Sequence, residues 1–245
     1  MQGQQAIILA AGRGRRLGTL TDALPKPLVP VAGTPMLVRL VRQLRARGVE
    51  RFVVVVGHHE AQIREAVQSA ASAARCSFVA NPDYETTNNA YSLWLAREAL
   101  PRGGILVEAD VVMEDSVLDA FLAYGDEAGW GTRPFEAGMD GALLEGDDDG
   151  ILRRLTIVAK QETAPEGGFK SMGILRITKT YGQKLARWLD DEIRSGSLGR
   201  YYDLVIADHL DDHPLRLIVT NSGFWSEIDT LADLQAAEAA LGAAK

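Results

Sequence analysis

Short, uniformly apolar runs alternate with segments whose apolar residues recur at helical spacing. AIILAA (6–11) is a continuous apolar run ending in a glycine-rich turn. PMLVRLVRQLRARG carries apolar residues three and four apart and stops at Gly48, and the β-branched RFVVVVG stops at Gly57. EAQIREAVQSAASAA predicts a helix, CSFVAN a strand, NNAYSLWLAREAL a helix and GGILVEAD a strand. Strands apolar on both faces, separated by amphipathic helices, predict a parallel sheet covered on both sides. The fold expected is α/β, doubly wound and mostly parallel, of the Rossmann-like kind.

The pattern changes after about Asp115. DSVLDAFLAYG reads as a helix, but DGALLEGDDDGILRRLTIV reads as two strands joined by an acidic turn. FKSMGILRIT predicts a strand, KTYGQKLARWLDDEIRSG a long helix and YYDLVIADHL another helix. LRLIVTN is then a strand and TLADLQAAEAALGAA the closing helix. With no internal repeat, low-complexity tract or Pro/Ser-rich linker, the antiparallel material is an insertion completing one domain over 1–245. Asp147, Asp148 and Asp149 lack the regular spacing of a calcium loop and fit a solvated hairpin tip.

Composition narrows the partners. A hydrophobic fraction of 47% and a charged fraction of 24% suit a chain with a substantial core. A formal charge of -7 argues against a broad nucleic-acid or anionic-membrane surface, though not against a local cationic site. The single Cys76 lies in an apolar strand and is expected as a buried structural thiol. No signal-peptide pattern and no bilayer-length apolar run is present, so the expectation is a cytoplasmic protein without membrane contact. The four histidines make no zinc spacing, and no nucleophile elbow supports a serine hydrolase.

The chemistry concentrates in LAAGRGRRLGTLTDALPKPLVPV (9–31), directly after the first strand. Open α/β sheets bind ligands beyond the carboxyl ends of their strands. Gly12 and Gly14 let backbone N–H groups approach an anion, and Arg13, Arg15 and Arg16 add forked donors suited to phosphate. The loop is not a dinucleotide fingerprint, since Leu17 stands where a third glycine belongs, nor a Walker loop. On these residues alone an exposed basic turn remains the alternative.

The continuation changes the weighting. LAAGRGRRL followed by PKPLVPVAGTPML resembles the nucleotidyltransferases that activate sugar phosphates and related phosphate esters. Their signature is an L-A-A-G-x-G-x-R-L loop, a P-K-P/A-L segment and a G-x-P turn into a helix. The resemblance covers most of the chain and is strongest to about residue 110. It implies a nucleotide-binding half over about 1–115 and an acceptor-binding half over about 116–245.

By this resemblance Leu9, Ala11, Gly12 and Gly14 cradle the nucleotide, while Arg16 and Lys26 approach its reacting phosphates. Arg13 and Arg15 fall at variable positions. An exposed loop lysine is the plain alternative for Lys26. Mg²⁺ is the implied cofactor, with Asp110 at the end of ILVEAD and Asp229 in EID as its ligands and Glu108 a weaker candidate. Helix capping is the competing explanation for both aspartates. The segment NNAYSL is similar to the cytidylyltransferases acting on phosphocholine and 2-aminoethylphosphonate. That similarity puts Asn81, Asn88, Asn89 and Ser92 on CTP, with capping again the alternative for each. Lys160, Ser171, Tyr202, Asp203 and Glu227 are implied at the acceptor, Tyr201 adjoining them; Lys160 could equally pair with Glu162 at the surface. The implied reaction moves CMP from CTP to a small phosphate or phosphonate and releases pyrophosphate. Alternatives are a sugar-1-phosphate nucleotidyltransferase using UTP, dTTP or GTP, a molybdopterin-type relative, and a non-catalytic nucleotide-binding regulatory protein. The sequence is compatible with a homodimer.

Overall fold

From Gln5 onward the first strand, β1 (Gln4–Ala10), is buried throughout, because both of its faces are covered. Ala6, Ile8 and Ala10 enter one apolar cluster and Ile7 and Leu9 another, the two-residue alternation of an extended chain. The computed structural model describes residues 4–160 and 162–242, the Arg15 side chain apart. The other strands are β2 (Pro30–Val31), β3 (Thr34–Pro35), β4 (Val49–Val56), β5 (Arg75–Ala80), β6 (Gly104–Glu108), β7 (Val111–Met113), β8 (Gly129–Pro134), β9 (Gly141–Gly146), β10 (Leu152–Val158), β11 (Gly168–Ile177), β12 (Arg216–Val219) and β13 (Trp225–Glu227). The helices are α1 (Met36–Ala46), α2 (Glu60–Ala71), α3 (Asn89–Leu95), α4 (Asp115–Ala123), α5 (Lys179–Arg194), α6 (Tyr202–Ala207) and α7 (Leu231–Gly242).

The main sheet runs β10-β9-β11-β6-β1-β4-β5, and β8 pairs with both β11 and β12. β6, β1, β4 and β5 are mutually parallel, whereas β11 is antiparallel to β6, β8 and β9. Leu37, Leu40 and Leu44 of α1, Ile63 and Val67 of α2, and Phe121 of α4 cover one face. Leu93 of α3, Leu185 and Leu189 of α5, and Ile206 of α6 cover the other. The chain leaves β1 for β4 on one side and later returns to β6 on the other. The carboxyl ends of β1 and β6 therefore flank the crevice where a doubly wound sheet takes its ligand. None of the described helices is long and apolar enough to cross a membrane.

The doubly wound, mostly parallel sheet with its antiparallel extension is as expected. Four features depart from the reading of the sequence. NNAYSLWLAREAL is a helix only to Leu95, beyond which a 3₁₀ segment (Arg97–Arg102) carries Pro101. β8, GWGTRP, was not legible because two of its core positions are glycines. A Cβ on Gly131 would meet Ile174 and Phe121, and one on Gly129 would meet Ile218, so neighbours supply the apolar bulk. Two short pairings, β2 with β3 and β7 with β13, also went unread. Cys76 is free and half-buried rather than fully buried, its thiol pKa raised by burial.

The acidic hairpin between β9 and β10 is a solvated tip. The Asp147 carboxylate accepts from the Asp149 and Ile151 backbone N–H groups and from Arg153.

Arg176 on β11 donates to the carbonyls of Phe121, Leu122 and Tyr124 at the end of α4. A cation there satisfies carbonyls that the helix leaves unpaired. Arg176→Met is expected to lower stability by about 2 kcal/mol in urea denaturation, in line with the loss of hydrogen bonds to a charged group.

Candidate active site

A cavity of about 560 Å³ opens at the carboxyl ends of β1 and β6. Its floor begins with Leu9 and Ala11 and continues into the loop of Gly12 and Gly14. Gly14 has φ 70, and a Cβ there would stand 2.5 Å from Lys26 Cβ. Only glycine meets both demands. Gly12 differs: its φ is not left-handed, and a Cβ on it meets no protein atom within 4 Å. The space above Gly12 is thus left for something other than the protein.

Lys26 is the centre of this end. Its flanking prolines fix the backbone entering a 3₁₀ turn (Lys26–Leu28), and the residue is only 8% exposed. Its Nζ donates to Asp110 Oδ2 at 2.6 Å and to Asp229 Oδ1 at 2.6 Å. Arg16 reaches the same Asp229 oxygen at 2.7 Å. Burial disfavours the charged lysine, but the two aspartates outweigh it and raise its pKa. Burial likewise opposes ionisation of Asp110, and Lys26 more than reverses that, holding its carboxyl below the usual range. Lys26 is therefore no exposed loop lysine.

Two local devices bring the aspartates together. β7 pairs antiparallel with β13, and the Ile228 N–H donates to the Asp110 carbonyl at 3.0 Å, so the residues that follow β6 and β13 meet. Neither aspartate caps the helix that follows it. Glu114 precedes α4, and Thr230 and Asp233 bond reciprocally before α7, Asp233 accepting from the Asp229 and Thr230 N–H groups. Both aspartates are thereby free for the cavity. Among the described residues no group of three or more His, Cys, Asp or Glu side chains could hold a metal ion. The two carboxylates nevertheless fit a hard cation that takes its remaining oxygens from phosphates and water, and Asp110 Oδ1 is buried without a hydrogen-bond partner.

The opposite end is rich in acid. Leu106 faces the core, and two-residue alternation carries Glu108 and Asp110 to the same side, both lining the cavity. Asp203 at the start of α6 and Glu227 of β13 join them, with Lys170 of β11 as the cation among them. Lys170 is 6% exposed and donates to Glu227 Oε2 at 2.8 Å. Burial pushes Glu227 up to about 7 against the pull of Lys170, and pushes Asp203 up to about 6. Glu108 is raised well above the carboxylate range, by burial first and then by Asp110 and Asp203. Asn89 ties this end together, donating to Glu108 at 3.3 Å and accepting from the Tyr202 N–H at 2.9 Å. Ser171 Oγ accepts from Trp130 Nε1 and from the Gly173 N–H, which leaves its own hydrogen to donate.

Of the residues expected at the site, Leu9, Ala11, Gly12, Gly14, Arg16, Lys26, Asn88, Asn89, Ser92, Asp110, Ser171, Asp203, Glu227 and Asp229 line the cavity. Three do not. Asn81 lies beneath it at 2% exposure, donating to Thr87 and Ser92 and accepting from the Asp83 N–H, so it shapes the loop after β5. Tyr202, the first residue of α6, is fully buried against Trp130, and the extended residue before the helix, Tyr201, lines the cavity instead. Lys160 is exposed beyond the end of β10, and the buried cation is Lys170. Asn88 both lines the cavity and caps α3 through the Asn89 N–H. Arg13 pairs with Glu85 across the rim at 3.3 Å, and the Arg15 side chain lies outside the described residues. Lys170, Asp140 and Thr87 were missed, though Lys170 had a signal: a lone lysine inside the apolar strand GFKSMGILRI.

An α/β crevice with a glycine loop, paired cations and paired carboxylates is a site for handling phosphates. A model of the MobA-like NTP transferase domain matches residues 6–242, and the chain belongs to that family. It is 34% identical over 244 residues to a CMP-5'-(3-aminopropyl)phosphonate synthase of Streptomyces rubellomurinus, covering 96% of this chain and 38% of the relative's length. It is 28% identical to the 2-aminoethylphosphonate cytidylyltransferase of Lancefieldella rimae, with 94% and 90% covered. The fold superposes on the CTP:phosphocholine cytidylyltransferase of Streptococcus pneumoniae with a TM-score of 0.82 at 23% identity, covering 97% of this chain and 99% of that one.

The two loop glycines separate fold from ligand. Gly12→Ala is expected to melt within about 0.5 kcal/mol of wild type yet to weaken nucleotide binding in calorimetry. Gly14→Ala should lose about 1 kcal/mol or more of stability through its left-handed φ.

Proposed function

We propose that this chain is a cytidylyltransferase that moves CMP from CTP to a small phosphonate or phosphate carrying a cationic amine, releasing pyrophosphate. The observation that carries the reading is the division of charge within one cavity. At one end Arg16 and Lys26 are balanced by Asp110 and Asp229, while at the other Glu108, Asp203 and Glu227 share the single cation Lys170. A triphosphate arriving with a divalent cation suits the first end and an ammonium the second. The names of two relatives, an aminopropylphosphonate synthase and an aminoethylphosphonate cytidylyltransferase, support an amine-bearing acceptor.

In this reaction an acceptor oxygen attacks the α-phosphorus of CTP, forming a P–O bond. The bond from that phosphorus to the bridging oxygen breaks, and pyrophosphate leaves with the electron pair. No covalent intermediate on the protein is needed, so positioning and neutralisation of charge supply the catalysis. Arg16 and Lys26 hold the triphosphate. Gly12 leaves room above the loop, and Asn88, Asn89 and Ser92 offer polar groups to the nucleotide. Asp203 and Glu227 hold the amine, and the free hydrogen of Ser171 is available to an acceptor oxygen. Asp110 and Asp229 would hold Mg²⁺, which when bound offsets the repulsion between two anionic reactants.

Pyrophosphate release should be fastest with CTP and 2-aminoethylphosphonate or 3-aminopropylphosphonate. The comparison crosses CTP, UTP, dTTP and GTP with those acceptors, phosphocholine, 2-hydroxyethylphosphonate and glucose 1-phosphate. Preference for glucose 1-phosphate with UTP, dTTP or GTP would establish the sugar-nucleotide alternative, and no turnover with any pair would favour a binding protein. Lys26→Ala and Asp110→Ala should each lower kcat by about 10²-fold or more with the far-UV spectrum retained. Asp203→Asn should raise KM for an amine acceptor about tenfold, the loss of one charged contact, while KM for CTP holds.

A further inference from the structure

We propose that in the free protein the Lys26 ammonium keeps the place of the divalent cation between Asp110 and Asp229, and that the nucleotide's phosphates draw it out. This rests on the reading of those aspartates as the metal-holding pair. Lys26, Arg16, Asp110 and Asp229 form a cluster of two cations and two carboxylates, linked at 2.6, 2.6 and 2.7 Å. It is already neutral. Two carboxylates converging on one point repel unless a cation stands between them, and here a side chain of the protein is that cation.

A divalent ion arriving alone adds two positive charges to a neutral cluster and must break two short charge-assisted hydrogen bonds. One arriving with a triphosphate brings excess negative charge, which gives Lys26 and Arg16 new partners. Lys26 suits such an exchange. Its backbone is set between Pro25 and Pro27, and its Cβ, Cγ and Cδ lie against Gly14, so movement is confined to the tip of the stem. The unpartnered Asp110 Oδ1 is an acceptor that the lysine leaves unused. A purely structural ion pair would predict the opposite consequence: loss of the lysine would loosen the aspartates and weaken any ion they hold.

The test uses Mn²⁺ alone as probe, with free ion followed by electron paramagnetic resonance in the absence of nucleotide. Wild type should bind Mn²⁺ weakly, and Lys26→Met should bind it at least tenfold more tightly. Lys26→Arg, which keeps the charge, should show no gain, and Asp110→Asn added to Lys26→Met should abolish the gain. If Lys26→Met does not fold, Lys26→Gln, which keeps a hydrogen-bond donor, carries the same expectation. The proposal is overturned if the uncharged variants bind Mn²⁺ no more tightly than wild type while wild type takes up Mn²⁺ once CTP is added. If wild type takes up no Mn²⁺ even with CTP, the metal reading of the aspartates fails and this inference with it.

Discussion

The ammonium of Lys26 joins three pieces of chain that the sequence keeps far apart. It stands on the proline-flanked turn, and its partners follow β6 and β13. Each piece is shaped to allow the meeting. Gly14 adopts a left-handed φ and lies against the lysine stem. The β7–β13 pairing puts Ile228 on the Asp110 carbonyl, and Thr230 with Asp233 takes over the capping of α7. Without the lysine, Asp110 would lose its ion-pair partner and face Asp229 with only Arg16 left on the pair, and removing one member of an ion pair shielded from water costs several kcal/mol.

The acid cluster at the other end shows the complementary problem. Glu108, Asp203 and Glu227 are each pushed upward by burial, and Lys170 alone among the cavity cations sits with them. A chain selected for stability alone would replace such a group with apolar side chains, since buried charge rarely improves on well-packed hydrocarbon. Three strained carboxylates retained in a cavity fit the cationic acceptor proposed above. The surrounding fold supplies the stability: both faces of β1, β4 and β6 are covered, and the apolar clusters meet along them.

Much of this was legible in the sequence where local chemistry and position agree. AIILAA, RFVVVVG and GGILVEAD declared a parallel sheet because their central residues are all apolar. The glycine loop declared an anion site by following the first of them. The identity of Asp229 came from resemblance, since its approach to Asp110 depends on a three-residue pairing too short to leave a pattern. Lys160 came from the resemblance, and Lys170 went unnoticed because a lysine inside an apolar strand reads as an interruption of it. Which of Tyr201 and Tyr202 faces the cavity was set by where α6 begins, since Tyr201 is extended and Tyr202 is the first helical residue, a boundary the sequence does not mark. Asn81 has the right place and chemistry, but its side chain is consumed by Thr87, Ser92 and Asp83.

The position of Lys170 follows from an irregularity in β11. Its pairing with β8 shifts register between Ser171 and Leu175, and Gly173 has φ 66, a local bulge. A Cβ on Gly173 would press on Val111 and approach Glu108, so the bulge lies directly against the end of β6 that carries the acids. Ser171 locks it, accepting at once from the Gly173 N–H across the bulge and from the indole of the buried Trp130. A regular strand would carry 170 and 171 to opposite faces. Here both line the cavity, so one strand delivers the cation that balances the acids and a hydroxyl with a free hydrogen. The antiparallel extension is therefore what gives the crevice of the doubly wound half a second, chemically distinct end.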